Sequence, residues 1–242
     1  MAVIHGSNAD AFLNGYDVGE FFNNVRYSAN RDIHDVTVFN SGGNKEYSPS
    51  PIDESTASAS GFFDHDAVTD ADGGDYALEA AVASQAMTSV FCWFPGGASA
   101  VGARGRALEG AITNYEIEDD SGNVATASME MTSNVGVEPV DLLATLAARV
   151  NSFTGTSDDN GAATTEGGSA YLQVTDVTSG TLPVIVEHST DDAVWSTKGT
   201  FSNVTADHDS ERIALSGTIN RYTRASATGT YSAAFLVAIH RK

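Results

Sequence analysis

Residues 62–75 read FFDHDAVTDADGGD, with five aspartates and one histidine within fourteen positions. Such carboxylates suit Ca²⁺, which takes about six to eight oxygen ligands from a tight loop. The calcium-loop pattern is not met, because Asp64 and Asp66 have the first spacing but Val68 occupies the third ligand position. The later aspartates are also followed by too few ligands. The weak metal candidates are therefore four aspartates: Asp64, Asp66, Asp70 and Asp72.

An acidic, solvated loop is the favoured interpretation of this stretch. Asp75 directly precedes the alanine-rich run Tyr76–Ser84, where an aspartate caps the free N–H groups of a helix. The stretch then ends one strand, forms a loop and starts a helix. No metal is expected to be needed for any of these roles.

The sequence contains no recognisable catalytic constellation. The six histidines are scattered and form no H-E-x-x-H pair, and neither G-x-S-x-G nor G-x-x-x-x-G-K-[ST] occurs. The one cysteine, Cys92, lies in the apolar run SVFCWF and is predicted to be a buried core residue. We therefore predict no catalytic residue, no cofactor and no enzymatic activity. A hydrolase is the least supported class.

The charge balance limits the partners of the chain. Its 242 residues carry 12 Lys+Arg against 32 Asp+Glu, a net charge of −20. Such a surface repels phosphates, so the chain is not expected to bind nucleic acid. No apolar stretch reaches the roughly 20 residues that span a bilayer, and the first residues show no signal-peptide pattern. We expect a soluble protein, made in a cytoplasm, with no membrane partner.

The first 153 residues read mainly as strands with a few helical segments. The clearest helix is predicted at Tyr76–Ser84, and two short turns at Val18–Val25. Val140–Val150 also has helical spacing after Pro139. A strand is predicted at Ala86–Phe94. The turn at 119–123 predicts a hairpin between the two runs that flank it, Ala107–Glu118 and Ala125–Thr132.

A change in composition follows. The stretch Thr154–Ser169 has no large apolar residue and is predicted to be a linker or long loop. Six short strands are predicted after it, typical of a β-sandwich: Ala170–Val177, Leu182–His188, Trp195–Phe201, Arg212–Leu215, Tyr222–Ala225 and Tyr231–His240. The predicted fold class is mainly β, with domains at 1–153 and 169–242 and a linker at 154–168.

Four pieces of the first 150 residues resemble the tail tube (major tail) protein of long-tailed bacteriophages. They are AFLNGYDVGEFF at 11–22, RDIHDVTVF at 31–39, SASGFFD at 58–64 and the hairpin at 110–132. In that family the first piece is a strand, an Asn-Gly turn and a short helix. The family is usually extended where Val140–Val150 looks helical.

The last part resembles a β-sandwich appended to such tail proteins. The pieces are VIVEHSTDDAVWS at 184–196, GTF at 199–201 and GTINRYTR at 217–224. The linker would then let this module project from the outer face of a tube, where it would touch host surfaces or thicken the wall.

The resemblance implies a structural virion protein, located in the tail. Such subunits form stacked rings, commonly hexameric, around an acidic lumen through which DNA passes without sticking. Its partners would be other copies of the chain and further tail proteins, such as the tape measure and the tail terminator. The expected fold is a tail-tube-like β-sandwich or barrel with one flanking helix, plus a smaller C-terminal sandwich.

Two other classes remain open. One is a carbohydrate- or host-surface-binding tail or fibre module, with Trp195, Tyr222 and Tyr231 as an aromatic surface-binding platform. The other is a capsid decoration or head–tail joining protein. Ring formation by the purified chain distinguishes the tail tube from the first class.

Overall fold

We describe a computed structural model of the chain over residues 9–37, 44–63, 74–84, 86–133 and 135–242. The described part is mainly β, as predicted. Its elements are β1 (Asp10–Leu13), β2 (Tyr16–Asp17), β3 (Phe22–Asp35), β4 (Tyr47–Phe62), α1 (Gly74–Ser84), β5 (Ser89–Phe94), β6 (Arg104–Glu118), β7 (Thr126–Ser133), β8 (Glu138–Val150), β9 (Phe153–Thr154), β10 (Asp158–Asp159), β11 (Gly168–Gly180), β12 (Val184–Ser189), β13 (Ser196–Thr200), β14 (Asp209–Leu215), β15 (Tyr222–Ala227) and β16 (Tyr231–Arg241).

Several sequence predictions are confirmed. The alanine-rich helix forms as α1, with Asp75 in its first turn. The hairpin forms from β6 and β7 around the predicted turn. Each of the six predicted C-terminal runs overlaps a strand. The Asn-Gly turn joins β1 to β2, and both of its residues have the positive φ that a tight hairpin turn requires: 51° at Asn14 and 83° at Gly15.

Two helical predictions are wrong. Val140–Val150 is part of β8, because its backbone pairs with β6 on one side and β16 on the other. At Val18–Val25 the chain makes one turn, closed by the amide of Phe22 donating to the carbonyl of Val18. From Phe22 onward the backbone pairs with β4, which replaces a second helical turn.

The described strands form two sheets. The larger sheet runs in the order β14-β11-β16-β8-β6-β5-β1-β2, and β7, β4 and β3 branch from β6. The smaller sheet runs β10-β15-β12-β13, with β9 paired to β15. β8 pairs with the first part of β6, and β7 pairs with the second part along the same edge. β6 therefore belongs both to the main order of strands and to the branch formed with β7, β4 and β3.

The larger sheet curls until its ends meet. Gln173 of β11 is fully buried, accepts from the amide of Gly15 at 2.6 Å and donates to the carbonyl of Val90 at 3.0 Å. The approach is so close that a Cβ at position 15 would lie 2.4 Å from the carbonyl oxygen of Val174. Only glycine fits this turn. The junction ties β1 and β5 to strands of the C-terminal part.

The described residues form three hydrophobic cores. The inner core lies inside the curled sheet and includes Phe12, Phe94, Leu142, Tyr171 and Leu236. The outer core, which includes Leu172, Val186 and Phe235, fills the space between the two sheets. The helix core packs α1 against the branch of the larger sheet. Alternate residues of one strand enter different cores, which is why β5 and β16 are almost wholly apolar.

The boundary predicted between the two domains, at 154–168, falls among strands that pair with one another. β8, from the predicted first domain, pairs with β16 from the predicted second. The predicted linker at 154–168 contains the end of β9 and all of β10, which both pair with β15. The division into two domains stays a prediction, tested by the truncation described in the Discussion.

Candidate assembly surface

The branch of the larger sheet forms a distinct surface, which we call the four-stranded subsheet. It consists, in order, of Phe22–Ala29 of β3, Ser55–Phe62 of β4, β7, and Gly110–Glu118 of β6. All neighbouring strands are antiparallel. Successive side chains point to opposite faces of a sheet, so the subsheet has two faces of separate character.

One face is apolar and covered. Ala57, Ala59, Met129 and Met131 are buried there, in the same core as the helix residues Ala77 and Leu78. Tyr115 donates a hydrogen bond to the Asp75 carboxylate in the first turn of α1, which fixes the helix to this face. Burial raises the pKa of the Tyr115 phenol, and the Asp75 bond and charge raise it further, so the hydroxyl remains a donor.

The opposite face is polar, and we call it the polar face. Its side chains are short hydroxyls and amides with a few charges: Asn24, Arg26, Ser28, Thr56, Ser58, Ser60, Asn114, Glu116, Glu118, Thr126, Ser128, Glu130 and Thr132. Only Phe62 and Ala111, at its two ends, break this pattern. One arginine stands against three glutamates, a net charge of −2. Two open depressions of about 300 Å³ each lie along it. Their polar linings differ from the apolar cavities that hold small molecules.

Beyond the subsheet, the β3–β4 hairpin continues as a two-stranded ribbon. Residues 30–35 pair with 47–54, and among the described residues no third strand joins them. Val36 and Tyr47, at 45% and 54% exposure, are large apolar side chains in water near its end. Isolated two-stranded ribbons are marginally stable in water.

A buried ionic network lies near the inner core, where sequence analysis predicted nothing. Glu138 of β8 accepts hydrogen bonds from Ser169 and Tyr171 and pairs with the Arg212 guanidinium at 3.0 Å. The side chains of Glu138 and Arg212 are 6% and 12% exposed. Burial raises the pKa of Glu138, but the bonds from Arg212, Ser169 and Tyr171 together hold it below its ordinary value. The carboxylate is therefore ionised and connects β8 with β11 and β14.

The structure divides the predicted surface-binding aromatics. Tyr231 is 2% exposed and packs edge-on against Phe235 in the outer core. The prediction that Tyr231 belongs to a surface-binding platform is therefore wrong. Trp195 and Tyr222 are half-buried, and the guanidinium groups of Arg224 and Arg221 lie over their rings at 4.0 and 4.8 Å. Both arginines also pair with carboxylates, Glu187 and Asp159. A platform at Trp195 and Tyr222 stays a prediction.

Asp64, Asp66, Asp70 and Asp72 lie outside the described residues. Within the described ranges, no group of three or more His, Cys, Asp or Glu side chains is arranged to hold a metal. Burial raises the pKa of Cys92 to about 12, so the thiol stays protonated at neutral pH and is a core residue. In the part of the chain that the structure describes, no helix combines the length and apolarity needed to cross a membrane.

No family model matches the chain, and no curated protein matches it. Among solved structures, the chain is similar to one from a virion of a native gene transfer agent particle. The TM-score is 0.41 and the identity 17%, over 56% of this chain and 97% of the other. A second is a tail of an empty gene transfer agent particle with C6 symmetry, with TM-score 0.38 and 18% identity, over 48% and 80%. Likeness at this level carries no conclusion about function.

Proposed function

We propose that this protein is a structural subunit of a phage-type tail tube. Copies of the chain form stacked rings, hexameric as is common in the family it resembles, around a channel for DNA. The observation that carries the proposal is the four-stranded subsheet, which is apolar and covered on one side and polar and acidic on the other. The protein acts by shape and charge and performs no chemical reaction.

The polar face is the surface that lines the channel in this proposal. Proteins hold DNA by neutralising its phosphates with Lys and Arg, which releases condensed counterions. The face offers one arginine among three glutamates, and its hydroxyls and amides are short. A wall of this kind stays hydrated and repels phosphates, so the DNA slides past it. The same sheet with a basic face would retain DNA.

The ribbon at 30–35 and 47–54 fits the contact between stacked rings. It extends past the subsheet and carries the exposed side chains of Val36 and Tyr47. A neighbouring copy would cover these side chains and supply the packing that a two-stranded ribbon lacks. Tape measure and tail terminator proteins are the further partners that this role implies. The assembled protein is then located in the virion tail after synthesis in the host cytoplasm.

Electron microscopy of the purified protein tests the proposal. We expect rings with a central hole, and stacks of such rings at high protein concentration and moderate salt. Salt promotes assembly because each copy carries a net charge of −20 and copies repel one another at low ionic strength. Monodisperse monomers across a wide range of concentration and salt would contradict a tail tube and favour a surface-binding module.

Reversing charge on the polar face is expected to create DNA binding. In the variant Glu118→Lys/Glu130→Lys the face changes from a net charge of −2 to +2. We expect wild-type rings to leave duplex DNA unbound. Rings of the variant should bind it with an affinity that falls about tenfold or more between about 50 and 200 mM salt, as counterion release requires. Fluorescence anisotropy of a labelled duplex measures both.

The matched control is Glu79→Lys/Glu166→Lys, which changes the total charge equally. Both glutamates are exposed, and both lie away from the polar face. We expect this control to bind the duplex much more weakly than the polar-face variant. Equal binding by the two variants would show that total charge, rather than the polar face, decides contact with DNA.

A further inference from the structure

The sequence contains two Asn-Gly pairs, Asn14-Gly15 and Asn160-Gly161. In such a pair the backbone nitrogen of glycine attacks the side-chain amide carbon of asparagine, because glycine has no side chain to obstruct the approach. A cyclic succinimide forms, ammonia leaves, and water opens the ring to aspartate or isoaspartate. The step is intramolecular and therefore fast wherever the backbone reaches the required geometry. The surroundings of each pair decide whether it reacts.

The first pair is held where the ends of the larger sheet meet. The side chain of Asn14 accepts from the amide of Val90 at 2.8 Å and donates to the hydroxyl of Ser89 at 3.1 Å. Gly15 is buried, and its amide donates to the side chain of Gln173 at 2.6 Å. Attack by the Gly15 nitrogen would require these long-range bonds to break, which opens the junction itself.

The second pair lies in an exposed turn directly after β10. The Asn160 side chain donates to the carbonyl of Ala162 at 3.0 Å, and the Gly161 amide donates to the Asp159 carboxylate at 2.8 Å. Apart from its chain neighbours, no atom of the described residues would lie within 4 Å of a Cβ at position 161. Two local hydrogen bonds and open space therefore separate this pair from reaction.

The chain on either side of this turn stays anchored. The Asn160 amide donates to the carbonyl of Arg221, and Thr164 forms a β-bridge with Ile219. The bonds from the Arg221 guanidinium lower the pKa of the Asp159 carboxyl to about 2. An anion this weakly basic holds the Gly161 N–H without removing its proton, so a base from the solvent must remove it.

We propose that Asn160 is a site of spontaneous modification in the folded protein, and that the fold protects Asn14 from the same reaction. The Gly161 nitrogen loses its proton to a solvent base and bonds to Cγ of Asn160, and the Cγ–Nδ2 bond breaks. The side-chain nitrogen leaves as ammonia. Water then adds to a ring carbonyl and breaks its bond to the ring nitrogen, so one water is consumed for each ammonia released.

The product carries one more negative charge, beside the ion pair of Arg221 and Asp159. In the isoaspartate form, the backbone of the turn is also longer by one methylene group. The inference goes beyond the proposed function, because it depends on the folded chain alone and holds whether or not copies assemble.

Incubation of the full chain at mildly alkaline pH, folded or in urea, tests the proposal. Peptide mass spectrometry, with chromatographic separation of aspartate and isoaspartate, measures the conversion at each asparagine. In the folded protein we expect Asn160 to react within about tenfold of its rate in urea. Asn14 should be slowed roughly a hundredfold or more, because it reacts only after the junction opens. The rate at Asn160 should rise with pH.

Asn160→Gln is the variant expected to remove the reaction at this turn, because glutamine must close a larger ring. Asn123→Gln is the matched control, since Asn123 is also exposed but precedes a valine, and it should leave conversion at Asn160 unchanged. An Asn160 that stays unmodified in the folded protein would overturn the proposal. Equal rates at Asn14 and Asn160 in the folded protein would overturn the protection of Asn14 by the fold.

Discussion

Replacing Glu138 with alanine is expected to lower the free energy of unfolding by about 3–5 kcal/mol, the usual loss when one partner of a buried ion pair is removed. The Arg212 guanidinium would remain buried without its carboxylate, and Ser169 and Tyr171 would lose their acceptor. Urea denaturation followed by circular dichroism measures the change. An unfolding free energy within about 0.5 kcal/mol of wild type would contradict a structural role for the network.

Glu187→Ala is the matched control. Its partner is Arg224, at 2.8 Å, and the side chains of this pair are 16% and 21% exposed. Water can therefore solvate the arginine after the carboxylate is removed, and we expect a clearly smaller loss of stability. An equal loss at both positions would show that burial does not distinguish the two pairs.

The effect of Glu138 should depend on pH in a defined direction. Its pKa in the folded protein is lower than the ordinary value of 4.5, so the folded state favours the ionised form. The stability that this gives is present above pH 4.5 and is lost as the pH falls through the folded pKa. We expect the stability difference between wild type and Glu138→Ala to narrow below pH 4.5.

Deleting residues 155–242 is expected to abolish folding of what remains. The deletion removes β16, which pairs with β8, and β11, which pairs with β16. It also removes Tyr171 and Leu236 from the inner core. β8 would become an unpaired edge with an exposed apolar face, which favours aggregation. Expression of residues 1–154 should give insoluble protein, or soluble protein with no cooperative thermal transition.

Co-expression of residues 1–154 with 155–242 is the control, because the missing strands are then supplied by a separate chain. We expect the two fragments to co-purify as a folded complex. A soluble 1–154 fragment that unfolds cooperatively and forms rings would show instead that the C-terminal part is a detachable module, as the predicted linker suggested.

Sequence analysis correctly predicted the helix α1 and the β6–β7 hairpin, because both depend on residues that are close together in the chain. A helix at Tyr76–Ser84 follows from its alanines and Asp75, and the β6–β7 hairpin follows from its turn residues and apolar alternation. The failure at Val140–Val150 has a specific cause. Val140 and Leu142 enter the inner core while Leu143 and Ala144 enter the outer core, so two-sided burial with register shifts imitates a helical period.

The sequence by itself determined that the chain is acidic, mainly β and without a local catalytic motif. Tertiary structure alone decided which polar residues share a face, that the sheet ends meet at Gly15 and Gln173, and that Glu138 meets Arg212, 74 positions later in the chain. These features depend on strand order and register, which long-range pairing sets. Composition and spacing describe each strand separately, whereas the polar face exists only after β3, β4, β7 and β6 lie side by side.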